Sequence, residues 1–478
     1  MRTMRWIVAS LLALALPVAA PLAGLERQAG SADVEDLYVA DFVATAAFGV
    51  AMNDRGDVAG TSYPDPGCGP FCLPPLETVV WRGGVRIVLP LPPGFNEVHV
   101  RAINNQGWAA GFAGFPSTQT HAVVWKPNGA TYQVIDLGVL PGTTKSEAMG
   151  IDDLGRVVGW STTNNFPPTG APFVWTEAGG MVDLSAQGFP DEQPLAISPG
   201  GSVATASAWY RLGDPLSVTF LPPPPQSFMI GTYPTAINDD GDQARFLVNT
   251  GPQNLVYLFR FHHEGTWQMV SGPTGGSGVY GVGSINAALD ISATVLGTGV
   301  VAPGPDGVAE PLQDRLSSAY PGATVGSGGP MNALGQILTR VMIGNSQRLM
   351  KLTPAEGCES SCIVVSSMLI RGTFVEDPSE PGSCSPEGEA YNVVRVRATV
   401  KDENGAPLQG VVVRARFLDD YWTNKVVTAT TSPAGTVTFN NTGPCGVGAV
   451  AFLVDSAEKA PRVFDRTTGI VTKSVIPD

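Results

Sequence analysis

The sequence predicts an all-β chain: a seven-bladed β-propeller followed by a small β-sandwich of immunoglobulin type. Three observations predict it. A ten-residue turn pattern recurs seven times between residues 51 and 339. In the best copies the turn is followed by a β-rich segment ending in tryptophan, a glycine turn and a fourth apolar segment. The 57 glycines and 41 prolines make up about a fifth of the 478 residues, a density of turn formers foreign to helical bundles. Hydrophobic residues account for 43% of the chain, enough for a large core. The formal net charge of -14, with scattered Lys and Arg, argues against nucleic acid and against an anionic membrane surface as partners.

In chain order, residues 1–23 read as a signal peptide. Arg2 and Arg5 supply positive charge, and Trp6 to Leu16 is an 11-residue apolar run. That run falls short of the roughly 20 residues needed to span a bilayer. Small residues follow at Ala19, Ala20 and Ala23, so cleavage is expected between Ala19 and Gly24, with an uncleaved anchor as the alternative. The expected location is secreted, extracellular or periplasmic, with no stable membrane insertion. The six cysteines suit that compartment, and their spacing suggests the disulfides Cys68–Cys72, Cys358–Cys362 and Cys384–Cys445. A metal reading of the two C-x3-C pairs fails for want of nearby histidine.

The repeat occupies 36–354. Its clearest copies are AMNDRGDVAG (51–60), AINNQGWAAG (102–111) and GIDDLGRVVG (150–159). AISPGGSVAT (196–205), AINDDGDQAR (236–245), ALDISATVLG (288–297) and PMNALGQILT (330–339) follow. Their starts lie 51, 48, 46, 40, 52 and 42 residues apart. Asn or Asp opens a turn by bonding the backbone two residues on, and glycine takes the positive-φ position without steric cost. Each copy is therefore a tight hairpin. ETVVW (77–81), HAVVW (121–125) and APFVW (171–175) add a third strand, and VIDLG (134–138) and MVDLS (181–185) a fourth. Four strands in 40–50 residues is the size of a propeller blade. The seventh copy lacks its fourth strand, and an orphan strand, DLYVADFV at 36–43, precedes the first. The orphan is expected to fill the gap and close the ring. An open solenoid or two packed sheets is the alternative.

The unit A-I-N-x-x-G-x-V-x-G, followed by H-A-x-x-W and D-L-G, resembles the HAF repeat of predicted bacterial extracellular proteins, with AINNQGWAAG, His121-Ala122-Val123-Val124-Trp125 and Asp136-Leu137-Gly138 as the cleanest copy. The likeness is strongest in copies one to three. It implies an exported repeat protein and brings no catalytic residues.

Residues 355–390 read as a Cys/Pro-rich linker with the first sandwich strand at 363–374, and 391–478 as the sandwich. Glu403-Asn404-Gly405 predicts a hairpin, and SPAG at 432–435 a second one joining VVTATT to TVTFNN. The count of about seven strands fits a sandwich, and V-x-D-x-x-G-x-P-L-x-G-V-x-V-x-A is similar to bacterial immunoglobulin-like modules.

The search for chemistry assigns no catalytic, cofactor-binding or metal residues, and no cofactor. Of the four histidines, His99, His121, His262 and His263, the third and fourth are neighbours expected to point apart on a strand, as solvated turn residues. No H-E-x-x-H, G-x-S-x-G or Walker loop occurs. The acidic turns 53–57 and 238–242 lack the distal carboxylate of a calcium loop, so turn chemistry explains them, with weak calcium binding as the alternative. Asp152, Asp153, Asp239 and Asp240 fall in hairpin turns where they would line one face of the ring. Asn440-Asn441-Thr442 is formally a glycosylation acceptor. Trp108 and Trp160 are read as core residues with a stacking role as the alternative. These readings favour a non-catalytic binding or adhesion scaffold for extracellular polysaccharide or protein. Loop 62–76 and the Pro-rich 221–226 are the candidate contacts. A hydrolase or lyase using channel carboxylates, and a self-associating surface protein, are the alternatives.

Overall fold

A computed structural model describes residues 37–477 apart from 46, 64–75, 116–118, 164–168, 226–227, 231–234, 250–254, 275–279, 345, 356, 376–390, 420–423 and 445–448. Between 37 and 355 the strands form seven separate antiparallel sheets. The first holds Ala47–Met52, Val58–Ser62, Glu77–Arg82 and Val85–Val88 in that spatial order. The second holds Val98–Ile103, Ala109–Ala113, His121–Asn128 and Thr131–Asp136, and the third Lys145–Ile151, Val157–Thr162, Gly170–Thr176 and Gly180–Asp183. The fourth and sixth repeat the plan; the fifth has a fifth strand, because Phe228–Ile230 and Ala236–Ile237 both pair with Gln243–Asn249.

The seventh sheet is assembled from both ends of this region. Thr324–Val325, Ile337–Ile343 and Ser346–Ala355 are joined by Leu37–Thr45, the orphan strand of the sequence. Its register runs antiparallel from Leu37↔Ala355 to Thr45↔Arg348. The pairing covers an edge that would otherwise be open.

The seven turns after the first strand share one geometry. In each, residue i donates its N–H to the carbonyl of i+4, and i+3 donates to the carbonyl of i; Asn53 to Asp57 and Gly56 to Asn53 set the pattern. The sixth turn corrects the sequence alignment. It is Asn286–Asp290, with Leu289 in the glycine position at φ +66°, and not the segment around Ala293. The turn residues 238, 286 and 332 are then 48 and 46 residues apart, a more even spacing than the aligned copies gave. Leucine there costs about 1 kcal/mol of backbone strain, and its carbonyl is held by Arg260 Nη2 at 2.9 Å.

The second glycine of the motif has a different cause. The first strand bulges between Gly49 and Ala51, between Val100 and Ala102, and between Ala148 and Gly150. Each bulge presses a carbonyl onto the glycine opposite. A Cβ on Gly60, Gly111 or Gly159 would stand 2.0, 1.9 or 2.2 Å from the carbonyl oxygen of Phe48, His99 or Glu147.

Neighbouring sheets share their cores. Trp125 is fully buried among Ala59 and Val80 of the first sheet and Val98 and Val123 of the second. Its indole N–H reaches Pro90 O at 2.8 Å. Trp175 packs the third sheet on Ala110 and Val124 of the second, and Trp81 packs the first on Leu338 and Leu349 of the seventh. In these three sheets one tryptophan thus seals the sheet to its predecessor, with a large apolar area per side chain. The Asp-Leu unit also has a local reason: Leu137 and Leu184 are buried, while Asp136 and Asp183 accept the N–H two residues on.

Residues 362–475 form two four-stranded sheets packed through one apolar core. The strand order is 436–444, 391–401, 362–375, 463–464 in one and 424–430, 412–419, 450–458, 472–475 in the other. This corrects both predicted hairpins. The strands flanking Gly405 lie in different sheets, as do those flanking 432–435. The turns form, with Gly405 N–H on Asp402 O and Gly435 N–H on Ser432 O. The apolar faces then pair across the core, and strand partners are set by that core. Cys358–Cys362 is bonded; Cys68, Cys72, Cys384 and Cys445 lie outside the described residues.

The sandwich packs on the seventh sheet through a joint core. Ala40, Leu316, Tyr320 and Met350 meet Leu418, Ala451, Leu453 and Val471. Arg466 spans the junction, donating to Asp41 Oδ1 at 2.5 Å, Ala40 O at 2.6 Å and Tyr320 Oη at 2.8 Å. The closing strand 37–45 is therefore held on its far side as well.

The bulge geometry predicts that Gly111→Ala costs about 2 kcal/mol, because the new methyl meets a backbone carbonyl. Gly129→Ala, at φ +62° with open space around it, costs only about 1 kcal/mol. Urea unfolding of both variants checks the order.

Candidate functional site

A cavity of about 440 Å³ is lined by the first strands of six sheets and by residues at the turns of all seven. Its wall is aliphatic, including Val50, Ile103, Met149, Ile197, Ile237, Ile285 and Met331. Among the described residues Arg101 is its one cation, paired with Glu147 at 2.9 Å and lying over the Phe112 ring. The polar rim is made by the turns.

In four of the seven turns the first residue reaches into the next. Asn53 Nδ2 donates to Asn104 O at 2.9 Å, Asn104 Nδ2 to Asp152 O at 2.8 Å, and Asn238 Nδ2 to Asn286 O at 3.2 Å. Asn332 Nδ2 donates to Asn53 O at 3.2 Å, so the last turn binds the first. The same Asn53 accepts the N–H of Arg55 and of Asp57 through Oδ1. Asp152 has no amide to give. There Asp153 N–H bonds Pro199 O instead.

The second turn residue forms an outer tier. Ala333 N–H bonds Asp54 Oδ1 at 2.7 Å, Asp54 N–H bonds Asn105 Oδ1, and Asn105 N–H bonds Asp153 Oδ1, both at 2.8 Å. Gly200 N–H bonds Asp239 Oδ1 at 2.6 Å. Of the four carboxylates expected to line one face, Asp153 and Asp239 do border the cavity, and both cap a neighbouring turn. Asp152 and Asp240 are not among its lining residues. Asp152 is fully buried against Arg156 Nε at 2.6 Å, and its burial raises its pKa despite the bonds from Arg156 and Leu154.

His262 and His263 depart from expectation. They converge on one carboxylate, because the chain is already turning there. His263 places both its N–H and Nδ1 at 2.9 Å from Asp242 Oδ1, and His262 Nδ1 lies 4.0 Å from it. Burial alone would raise the pKa of Asp242, yet these bonds and Asn238 hold it below the usual value. Asp57 plays the same part with Arg82 Nε at 3.2 Å, so the carboxylate ties the first turn of its sheet to the third strand. His121 bridges to Asp136 at 2.9 Å, which joins the two halves of the H-A-x-x-W…D-L-G signature across adjacent strands. His99 stacks on Phe112. Trp108 and Trp160 are both half-buried; Lys126 Nζ lies 4.5 Å from the Trp108 ring centre. Among the described residues no cluster of three His, Cys, Asp or Glu can hold a metal ion.

Sequence reasoning missed the long side chains that press on turn glycines of the following sheet. Lys351 approaches Gly56, Arg82 approaches Gly107, Trp108 approaches Gly155, Arg156 approaches Gly201 and Trp209 approaches Gly241. They come from third strands and from turns alike, so no fixed spacing marks them. Arg245 stands where the early copies have glycine. Burial pushes its guanidinium down to about 10, and it bonds Thr205 O, Ala206 O and Gln243 Oε1. It fastens the fifth sheet to the fourth.

No family model matches the chain, and no curated protein matches it. Among solved structures it is similar to the extracellular domain of a B. thetaiotaomicron protein described as a hybrid two component system. The identity is 9% and the TM-score 0.39, with 90% of this chain and 58% of that chain covered. A puromycin-hydrolyzing peptidase from Mycobacterium tuberculosis matches at 12% identity and TM-score 0.35, covering 76% and 60% of the two chains. A gluconolactonase from Xanthomonas campestris matches at 11% and 0.30, covering 66% and 87%. The chain thus spans less than two thirds of the first two. Likenesses this distant carry no argument about its activity.

The turn network predicts the effect of Asn53→Asp. The acceptor survives, but both donations end and a carboxylate faces Asp57 Oδ2 and Asn104 O. The loss should be about 2–3 kcal/mol, read as a lowered urea midpoint. Asp54→Asn, which keeps an acceptor for Ala333 N–H, should lose under about 1 kcal/mol.

Proposed function

We propose that the seven sheets are the blades of a closed β-propeller of HAF-repeat type, that the C-terminal sandwich is immunoglobulin-like, and that the protein is an exported, non-catalytic binding scaffold. One observation carries the functional reading: the two ends of the sheets differ in how far they vary. At one end stand seven turns of identical hydrogen bonding. At the other, the connections between second and third strands run 14, 7, 7, 3, 6, 2 and 2 residues. Loops on a rigid frame are where recognition varies without cost to the fold.

The carboxylates at the constant end support the same reading. Asp54, Asp153 and Asp239 accept backbone N–H groups of adjacent turns, which is a structural use. No helix among the described residues is long and apolar enough to cross a membrane. The partner class is extracellular polysaccharide or protein. The 14-residue loop 63–76 is the first contact to test, although 64–75 lie outside the described residues.

The test is binding of the chain lacking residues 1–23 to arrayed polysaccharides and cell-surface fractions, with and without calcium. Replacing 64–75 by a short Gly/Ser link should weaken the strongest binding at least tenfold while leaving the melting temperature unchanged. Binding to nothing on the array, or full binding without the loop, contradicts the proposal.

A further inference from the structure

The sandwich carries a feature that the propeller reading does not use. On the outer face of its first sheet, Arg371 lies directly opposite Arg395, and Arg397 follows two residues along the same strand. Strands are about 4.8 Å apart and alternate residues about 6.8 Å, so three guanidinium stems rise from a patch about one sugar ring across. All three residues are exposed. Like charges directly opposite on a sheet repel, and among the described residues no carboxylate pairs with any of them. Arg395 Nε bonds a neutral amide, Asn440 Oδ1 at 3.0 Å. In a chain of net charge -14, three cations without a carboxylate partner among the described residues run against the trend of the sequence.

The surroundings narrow the ligand. The arginines border a depression of about 730 Å³ whose other walls are Thr436, Thr438, Asn440 and the exposed Leu369. Threonine hydroxyls and an amide both donate and accept, as sugar hydroxyls require. Leu369 offers an apolar patch for the C–H face of a ring. The guanidinium groups match carboxylates in geometry and charge. A densely charged polyanion such as duplex DNA would meet three cations here and net repulsion everywhere else. We propose that this sheet face binds an acidic polysaccharide that carries one carboxylate per sugar, at a site separate from the propeller loops and independent of their role.

The experiment uses the full chain without residues 1–23, polygalacturonate as the probe, and its methyl ester and duplex DNA as controls. Arg371→Gln, Arg395→Gln and Arg397→Gln are combined in one variant. The expected result is binding to polygalacturonate that weakens several-fold between 50 and 300 mM salt, falls at least tenfold in the triple variant, and is unaffected by replacing 64–75. The methyl ester and DNA should bind at least tenfold more weakly. The triple variant should melt at or above the parent temperature, since it loses a repulsion and no packing. Absence of binding at low salt, equal binding by the triple variant, equal binding of ester or DNA, or a melting temperature well below the parent would each overturn the proposal.

Discussion

The amide of a turn asparagine is the contact on which the rest of the architecture depends. Its oxygen folds its own turn by accepting two backbone N–H groups, as Asn53 does from Arg55 and Asp57. Its nitrogen reaches the carbonyl of the next turn from Asn53, Asn104, Asn238 and Asn332, whereas Asn286 Nδ2 bonds Asp290 Oδ2 of its own turn. One side chain therefore sets a local shape and a distance between sheets. Aspartate or serine can do the first task but lacks the amide needed for the second. Where Asp152 and Ser198 stand, the contact to the next turn passes to other groups: Asp153 N–H on Pro199 O, and Ser202 Oγ with Gly200 N–H on Asp239. The tryptophans then fill the space between sheets already held at a fixed separation.

Closure follows from the same constraint. A run of sheets joined only to their neighbours has two open ends. Here Asn332 and Ala333 bond the first turn, Leu338 and Leu349 share a core with Trp81, and Leu37–Thr45 pairs with Ser346–Ala355. The sandwich is built onto this junction through Arg466 and the core around Tyr320 and Leu453. Its position gives it a role in holding the closing strand, apart from any ligand.

How much of this was legible in the sequence varied with distance along the chain. The turns were readable, because Asn, Gly and the intervening residues act within five positions. The orphan strand was readable because the seventh copy was one strand short. The sixth turn escapes the alignment because Leu289 occupies the position where the other copies have glycine. The sandwich hairpins failed because a turn signal specifies reversal and says nothing of which strand is bonded next. Strand alternation predicts that His262 and His263 diverge; both instead face Asp242, since that alternation ends where the turn begins. The asparagine amide, Arg82, Arg156 and Lys351 act between sheets, where no local pattern reports them. Nor did the arginine face show: Arg371 is 24 residues from Arg395, and only the pairing of their strands brings them together.

The most direct test of closure is native-state hydrogen exchange, resolved by peptide, on the intact chain. Amides of 37–45 should be as protected as those of 346–355, and the two segments should lose protection together as urea is added. Fast exchange at 37–45 with 346–355 still protected would show a free N-terminal segment and an open seventh sheet, and would contradict the account.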